Sequence, residues 1–345
     1  MIDAIATSDV PKTRRLAVTK PRLGFLGVGW IGRNRMEAIA RSGVAEIAGI
    51  ADSAEANAAE AGKLAPHAEQ VSSLDDLLKL DLDGVVIATP NALHAEQAIS
   101  ALESGAAVFC QKPLAKTRDE TEKVVSAARS ADRLLAVDLS YRFTTGIQQI
   151  RRIVRSGELG KIFAADLVFH NAYGPDKPWF YDYRLSGGGC VLDLGIHLVD
   201  LAFWILNRSK CLSVTGCLFS GGEQLRNSAQ KVEDFAVARI DLEGDTTLQL
   251  SCSWKLHAGC DAVIRASFYG TKGGAEFRNV DGSFYDFSAE QFHGTGRELL
   301  AGGREEWGCR AALDWVKRLA EGQRYDASIE GLIDVAKTVD AIYQR

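Results

Sequence analysis

No unbroken apolar run in this chain of 345 residues reaches the roughly 18 positions that a membrane span requires, so a membrane-embedded protein is not expected. Residues 1–20 contain Arg14-Arg15, but Leu16-Ala17-Val18 gives way at once to Thr19-Lys20-Pro21, too short an apolar core for a signal peptide. That stretch reads as a polar arm. Positive charge is not in excess: 40 Lys and Arg against 45 Asp and Glu leave a net charge of −5, with no electrostatic reason for a nucleic-acid or membrane partner. C-x-x-C pairs are absent, and the seven cysteines (110, 190, 211, 217, 252, 260, 309) are scattered among apolar residues, which suits reduced, buried thiols in a cytoplasm. His170, His257 and His293 stand far apart without clustered cysteines or carboxylates, so no metal site is expected. Internal repeats and low-complexity tracts are missing too.

What is present is patterned. At roughly 100 to 200 residues per domain, the length allows two, each with its own core. From Arg22 to about Phe143, short apolar runs alternate with helical patterns, the mark of a parallel sheet covered by helices. The expected strands are 23–27, 45–51, 84–88, 107–110 and 134–137. Arg41-Ser42-Gly43 offers a helix end, and Thr117-Arg118-Asp119-Glu120 has capping-box spacing. After about residue 160 the runs lengthen and partly alternate, at 162–169, 212–219, 235–242, 246–254 and 262–269. Glu243-Gly244-Asp245 supplies a hairpin turn. The fold expected is therefore α/β: an N-terminal doubly wound parallel sheet over 21–143, then an α/β domain over 144–345 with an open, mostly antiparallel sheet. Helical patterns at 304–321 and 328–343 close the chain, the last returning to the first domain or the sheet.

Gly27-Val28-Gly29-Trp30-Ile31-Gly32 is a G-x-G-x-x-G that follows an apolar strand and opens a helix. Its glycines permit a tight turn, a close approach to a pyrophosphate and helix–strand packing, and the helix N-terminus favours an anion. Asp52 closes the next strand, where a carboxylate can bond both ribose hydroxyls of NAD. It would repel a 2′-phosphate, and the following Ser53-Ala54-Glu55 supplies no cation, so NAD is favoured over NADP. The loop Thr89-Pro90-Asn91-Ala92-Leu93-His94 lies beyond another strand end and faces the same crevice. Asn91 is equally readable as the N-cap of the next helix, and His94 as packed near the cofactor.

Lys112, in Cys110-Gln111-Lys112-Pro113, also follows a strand end, where an ammonium favours a developing alkoxide on a substrate. Ser186-Gly187-Gly188-Gly189 precedes a helical pattern carrying Asp193 and His197 at i and i+4, so a carboxylate can orient an imidazole and raise its basicity. Upstream, Tyr173, Trp179 and Tyr183 are candidates for stacking on a sugar face or bonding its hydroxyls; an interface or packed loop reads equally well.

Together, GVGWIG, ATPNALH, QKPLAKT, YRF at 141–143, SGELGKI, GGGCVLDLGIHLVD and FYGTKGGAEF make the chain from Arg22 onward resemble the Gfo/Idh/MocA family of glucose–fructose oxidoreductase and inositol dehydrogenase. The resemblance implies a Rossmann domain followed by an open-sheet domain, and NAD(P)-dependent oxidation or reduction of a sugar, cyclitol or related polyhydroxylated compound. It also implies a homodimer or homotetramer formed through that sheet. It maps the family's lysine to Lys112 and its aspartate and histidine to Asp193 and His197, and adds Ser140 and Arg142 to the cofactor-facing set. Gln111 departs from the family's usual glutamate; it keeps a hydroxyl-bonding amide but no charge beside Lys112. The resemblance leaves two alternatives open: redox-neutral epimerisation, elimination or glycoside cleavage with NAD retained, and a silent sensor of NAD or a metabolite.

Overall fold

The computed structural model describes residues 20–207, 210–226 and 231–344, so the polar arm expected over 1–20 lies, apart from Lys20, outside the described residues. The chain begins with β1 (Arg22–Leu26), α1 (Trp30–Ser42), β2 (Glu46–Ala51), α2 (Glu55–Gly62), β3 (Glu69–Val71) and α3 (Leu74–Leu77). It continues through β4 (Gly84–Ile87), α4 (Asn91–Glu103), β5 (Ala107–Cys110), α5 (Arg118–Ala131) and β6 (Leu135–Val137). These strands form one parallel sheet in the order β3-β2-β1-β4-β5-β6. Chain order reverses between β1 and β4, so the crevice beyond their carboxyl ends is where a doubly wound sheet takes its ligand. The central strands are apolar on both faces: every residue of β4 and β5 is buried. Helix ends follow the local chemistry. Gly43 closes α1 at φ 65°, and the Thr117 hydroxyl caps α5 by accepting from the Glu120 N–H at 3.2 Å.

The second half opens with α6 (Thr145–Ser156), β7 (Ile162–Asn171), a short α7 (Tyr183–Ser186) and α8 (Ile196–Leu206). Then come β8 (Cys211–Ser220), β9 (Glu223–Gln224), β10 (Phe235–Leu242), β11 (Thr246–Ser253) and β12 (Ala262–Gly270). β13 (Gly274–Asn279), β14 (Asp286–His293), β15 (Gly296–Arg304), α9 (Arg310–Ala320) and α10 (Gly331–Tyr343) complete the chain. Nine strands pair in the order β15-β14-β13-β12-β7-β11-β10-β8-β9; β7 and β11 run parallel, and the rest are antiparallel. Alternation sorts the two faces: Ala236, Ala238, Ile240 and Leu242 are buried beneath helices while Val237 and Arg239 are exposed. Gly244 and Asp245, both at positive φ, turn β10 into β11 as expected.

The two halves are laced together. α9 returns to the first sheet, where fully buried Trp315 packs against Phe109 at 5.7 Å. α10 packs on both β8 and α5, and the Arg118 N–H donates to Asp340 at 2.8 Å. One expectation about the elements needs correction. The helix expected over 304–321 begins only at Arg310, because 296–304 forms edge strand β15. The segment Tyr183–Leu206 is long and apolar enough on average to cross a membrane although no unbroken run is; 89% of its most apolar window is buried inside the fold, which marks a core helix.

Candidate active site

A crevice of about 680 Å³ opens at the carboxyl ends of β1, β4 and β5, and its far wall comes from the loop after β7. The glycine loop forms one side. Gly27 holds φ 80°, and a Cβ on Gly32 would meet the Gly27 carbonyl oxygen at 2.0 Å, so the turn and the helix packing each demand glycine. A Cβ on Gly29 would meet nothing within 4 Å; the backbone there faces open space. α1 has no side-chain cap, so the N–H groups of its first turn remain for an anion. Asp52 ties the loop to β2, accepting from the Val28 N–H at 2.7 Å and the Ala54 N–H at 2.8 Å. An uncapped helix start, an open glycine and an acidic strand end fit a dinucleotide. Gly29, Trp30, Ile31, Gly32, Thr89, Asn91, His94, Gln111 and Lys112 line the same crevice, whereas Gly27, Asp52 and exposed Ser53 lie outside its lining.

Lys112 reaches from the end of β5 to the second half of the chain. Its Nζ donates to the Asp193 carbonyl at 2.9 Å and to the Asp193 carboxylate, with both side chains mostly buried. The other carboxylate oxygen accepts from the Trp254 indole at 3.0 Å. The Lys112–Pro113 peptide is cis. Asp193 therefore does not orient His197 as expected, and no hydrogen bond joins the two among the described residues. The reason lies in the backbone: Val191–Gly195 is a π-turn, in which the Ile196 N–H reaches back five residues to the Val191 carbonyl. One wide turn puts side chains four apart out of line. His197 is instead 9% exposed and edge-on to Tyr141 at 5.2 Å, and it is not among the crevice-lining side chains. Burial, helped by the charge of Lys112, holds its imidazole well below the ordinary value and keeps it neutral.

Other expected residues go elsewhere. Ser140 is buried with its hydroxyl on Asp138 and on the Gly308 carbonyl at 3.0 Å, so it does not face the crevice. Arg142 turns the opposite way, forming a two-pronged pair with buried Asp200 and lying over Trp204 at 5.5 Å. In both cases a nearby carboxylate outcompetes a solvated ligand site. Asn91 caps nothing; its amide donates to the Ser186 carbonyl at 2.9 Å and joins the crevice to the glycine run. His94 is buried with each ring nitrogen 2.7 Å from a carbonyl, those of Pro113 and Thr89, so it braces the turn that carries Lys112. Tyr173 and Trp179 line the crevice, and Trp179 stacks on Phe180 at 3.8 Å, but Tyr183 begins α7 outside the lining.

Three groups escaped the sequence reading. Trp254 holds Asp193, and Asp138 with Arg35 forms a buried ion pair at 2.7 Å behind Gln111. The third, Glu233, is 1% exposed and accepts from the N–H groups of Gly189 and Val191, each at 2.9 Å, and from the Tyr343 hydroxyl at 2.7 Å. It explains the glycine run as packing: a Cβ on Gly189 would lie 1.9 Å from the Glu233 carbonyl oxygen. Burial raises the Glu233 carboxyl above its ordinary value, while these hydrogen bonds pull it back. A lone glutamate 40-odd residues downstream carries no local signal of that partnership.

A glycine cradle and acidic strand end in a parallel α/β sheet, with a Lys–Asp pair bridging to a second sheet, define an oxidoreductase that binds a nicotinamide dinucleotide. Residues 21–139 match the oxidoreductase family with an NAD-binding Rossmann fold, and residues 147–276 match the GFO/IDH/MocA C-terminal domain. The chain belongs to the GFO/IDH/MocA family. It is 30% identical over 244 residues to D-glucoside 3-dehydrogenase of Escherichia coli K12, covering 67% of this chain and 69% of that one. It is 27% identical to 1,5-anhydro-D-fructose reductase of Ensifer adhaerens, covering 88% and 97%. Among solved structures, levoglucosan dehydrogenase in complex with NADH and levoglucosan superposes with a TM-score of 0.78 at 21% identity, over 94% of this chain and 96% of that one.

Proposed function

We propose that the chain is an NAD-dependent dehydrogenase that moves a hydride between a secondary hydroxyl, or the corresponding ketone, of a sugar or cyclitol and the nicotinamide. The observation that carries this reading is Lys112 paired with Asp193 inside the crevice that begins at the glycine loop. Relatives named for glucoside and inositol oxidation support the substrate class. NAD supplies the hydride acceptor. The N–H groups at the start of α1 would hold its pyrophosphate, and Asp52 would take the ribose hydroxyls and repel a 2′-phosphate. Lys112, fixed by Asp193, donates to the substrate oxygen and stabilises the charge that develops there. For His197, which stands behind the crevice lining but feels the charge of Lys112, the role we assign is acceptor of the hydroxyl proton, and Tyr173 and Trp179 offer aromatic faces to the ring. A screen of the purified protein with NAD and with NADP against free sugars, glycosides, sugar acids and inositols tests the reading. Turnover with NAD on one of these classes supports it; NADP-only turnover, or oxidation confined to simple alcohols, contradicts it.

A base held below the ordinary imidazole value near 6.5 stays unprotonated as the solution is acidified past that point. The sign follows: kcat/KM for oxidation at saturating NAD stays level as pH falls through 6.5 and declines only below it. An acid limb centred above that value would remove His197 from the role of base.

The face of the second sheet turned away from the helices exposes Val237, Arg239, Gln249, Arg265 and Tyr269. We read it as the contact of a homodimer or homotetramer; sedimentation at the mass of one chain would rule that out.

A further inference from the structure

Gln111 occupies the crevice wall directly before Lys112, and what lies behind it is unusual for a neutral side chain. Its Nε2 is 2.5 Å from Oδ2 of Asp138, a carboxylate that is 2% exposed. The same oxygen accepts from Arg35 Nε at 2.7 Å, and the second oxygen takes the Ser140 hydroxyl. Arg35 belongs to α1, the helix whose start forms the glycine loop, and Asp138 follows β6. The cluster therefore ties α1 to the ends of β5 and β6.

A carboxamide has one donating end and one accepting end, whereas an ionised carboxylate only accepts. Asp138 thus removes the usual freedom of a glutamine to flip: the carbonyl oxygen beside Asp138 would set lone pair against lone pair, while the NH₂ group makes a charge-assisted bond. With its nitrogen turned inward on Asp138, Gln111 presents its carbonyl oxygen as the acceptor for the crevice. Charge balance points the same way. One guanidinium neutralises one buried carboxylate, and a second carboxylate at position 111 would leave the cluster with an excess negative charge in a site largely withdrawn from water.

We propose that Asp138 is a positioning residue that locks the Gln111 carboxamide with its carbonyl oxygen toward the crevice, making position 111 an acceptor for a hydroxyl on the bound dinucleotide. The proposal rests on the NAD reading above. It makes the neutral amide at 111 and the buried carboxylate at 138 a matched pair, so that neither can change alone.

The test compares the parent with Gln111→Glu, Asp138→Asn and the double variant, using NAD titration by intrinsic fluorescence and thermal midpoints from about pH 8 to about pH 5. Parent binding of NAD is read first, and its absence would overturn the function reading itself and this proposal with it. Given that binding, Gln111→Glu loses about tenfold or more in NAD affinity at about pH 8 and regains affinity as the pH is lowered toward about 5, because protonation of the introduced carboxyl relieves its repulsion. Its thermal midpoint, relative to the parent, falls as pH rises, because the extra carboxyl is relieved only when protonated. Asp138→Asn alone loses stability by stranding Arg35. The double variant, again with one carboxylate for one guanidinium, recovers affinity and midpoint toward the parent. A merely structural role would not produce the pH-dependent affinity or the reciprocal rescue. If Gln111→Glu binds NAD like the parent across this range, or if the two substitutions simply add, the proposal is wrong.

Discussion

Replacement of His197 by alanine lowers kcat by about 10² to 10⁴, the usual worth of general-base help, and leaves the NAD dissociation constant within a few-fold of the parent. The ring lies beside Tyr141 and Phe169, away from the glycine loop, so its loss removes a proton acceptor without touching the cofactor cradle. Lys112 lowers the proton affinity of His197 through its charge, so the two act as a unit and their losses will not add. Steady-state kinetics paired with a fluorescence titration of NAD checks both halves. A variant that turned over at the parent rate would move the base to Lys112 or to water; one that lost NAD binding as well would mark His197 as structural.

Replacement of Glu233 by alanine costs about 3 kcal/mol or more of folding stability, because buried N–H groups of Gly189 and Val191 and the Tyr343 hydroxyl all lose their acceptor. The effect reaches the site. Those N–H groups begin the segment that becomes the π-turn, and that turn delivers the Asp193 carbonyl and carboxylate to Lys112. The urea midpoint should fall steeply for Glu233→Ala and less for Glu233→Gln, which keeps one acceptor oxygen. Tyr343→Phe should cost about 2 kcal/mol, since the hydroxyl both donates to Glu233 and accepts from the Leu192 N–H at 3.2 Å, while the acceptor of the Gly189 and Val191 N–H groups remains. An unchanged midpoint in Glu233→Ala would mean that water replaces the carboxylate, and the glycine run would need another explanation.

The strands that carry the crevice were legible because burial on both faces writes continuous apolar runs, as in Gly84–Ile87 and Ala107–Cys110. β14 and β15 were not. β14 buries Phe287, Ala289 and Gln291, an alternation with little hydrophobic contrast, and β15 is an exposed edge strand carrying three glycines. β3 is three residues long and nowhere buried. Within the site, the stretches around Gly27 and Lys112 were readable because each follows a strand end. Asp193 and His197 were readable as residues, but their pairing was not: a π-turn has no sequence period of its own, and the partners of Asp193 come from β5 and from beyond β11. Ser140 and Arg142 were assigned to the cofactor by the family resemblance, yet buried Asp138 and Asp200, two and 58 positions away respectively, hold them. Contacts of that kind are set by packing and leave no mark in local spacing.

The central claim is net hydride transfer from a ring carbon to the dinucleotide, with the proton going to the protein. Its most direct test is to supply NAD with a sugar or cyclitol that the screen shows to be turned over, deuterated at the reacting carbinol, and to follow the label by NMR. The account predicts one deuterium at C4 of the released nicotinamide for each ketone formed. Turnover that leaves NAD unreduced, with the deuterium retained in the product or exchanged into water, would contradict it and establish redox-neutral chemistry in this crevice.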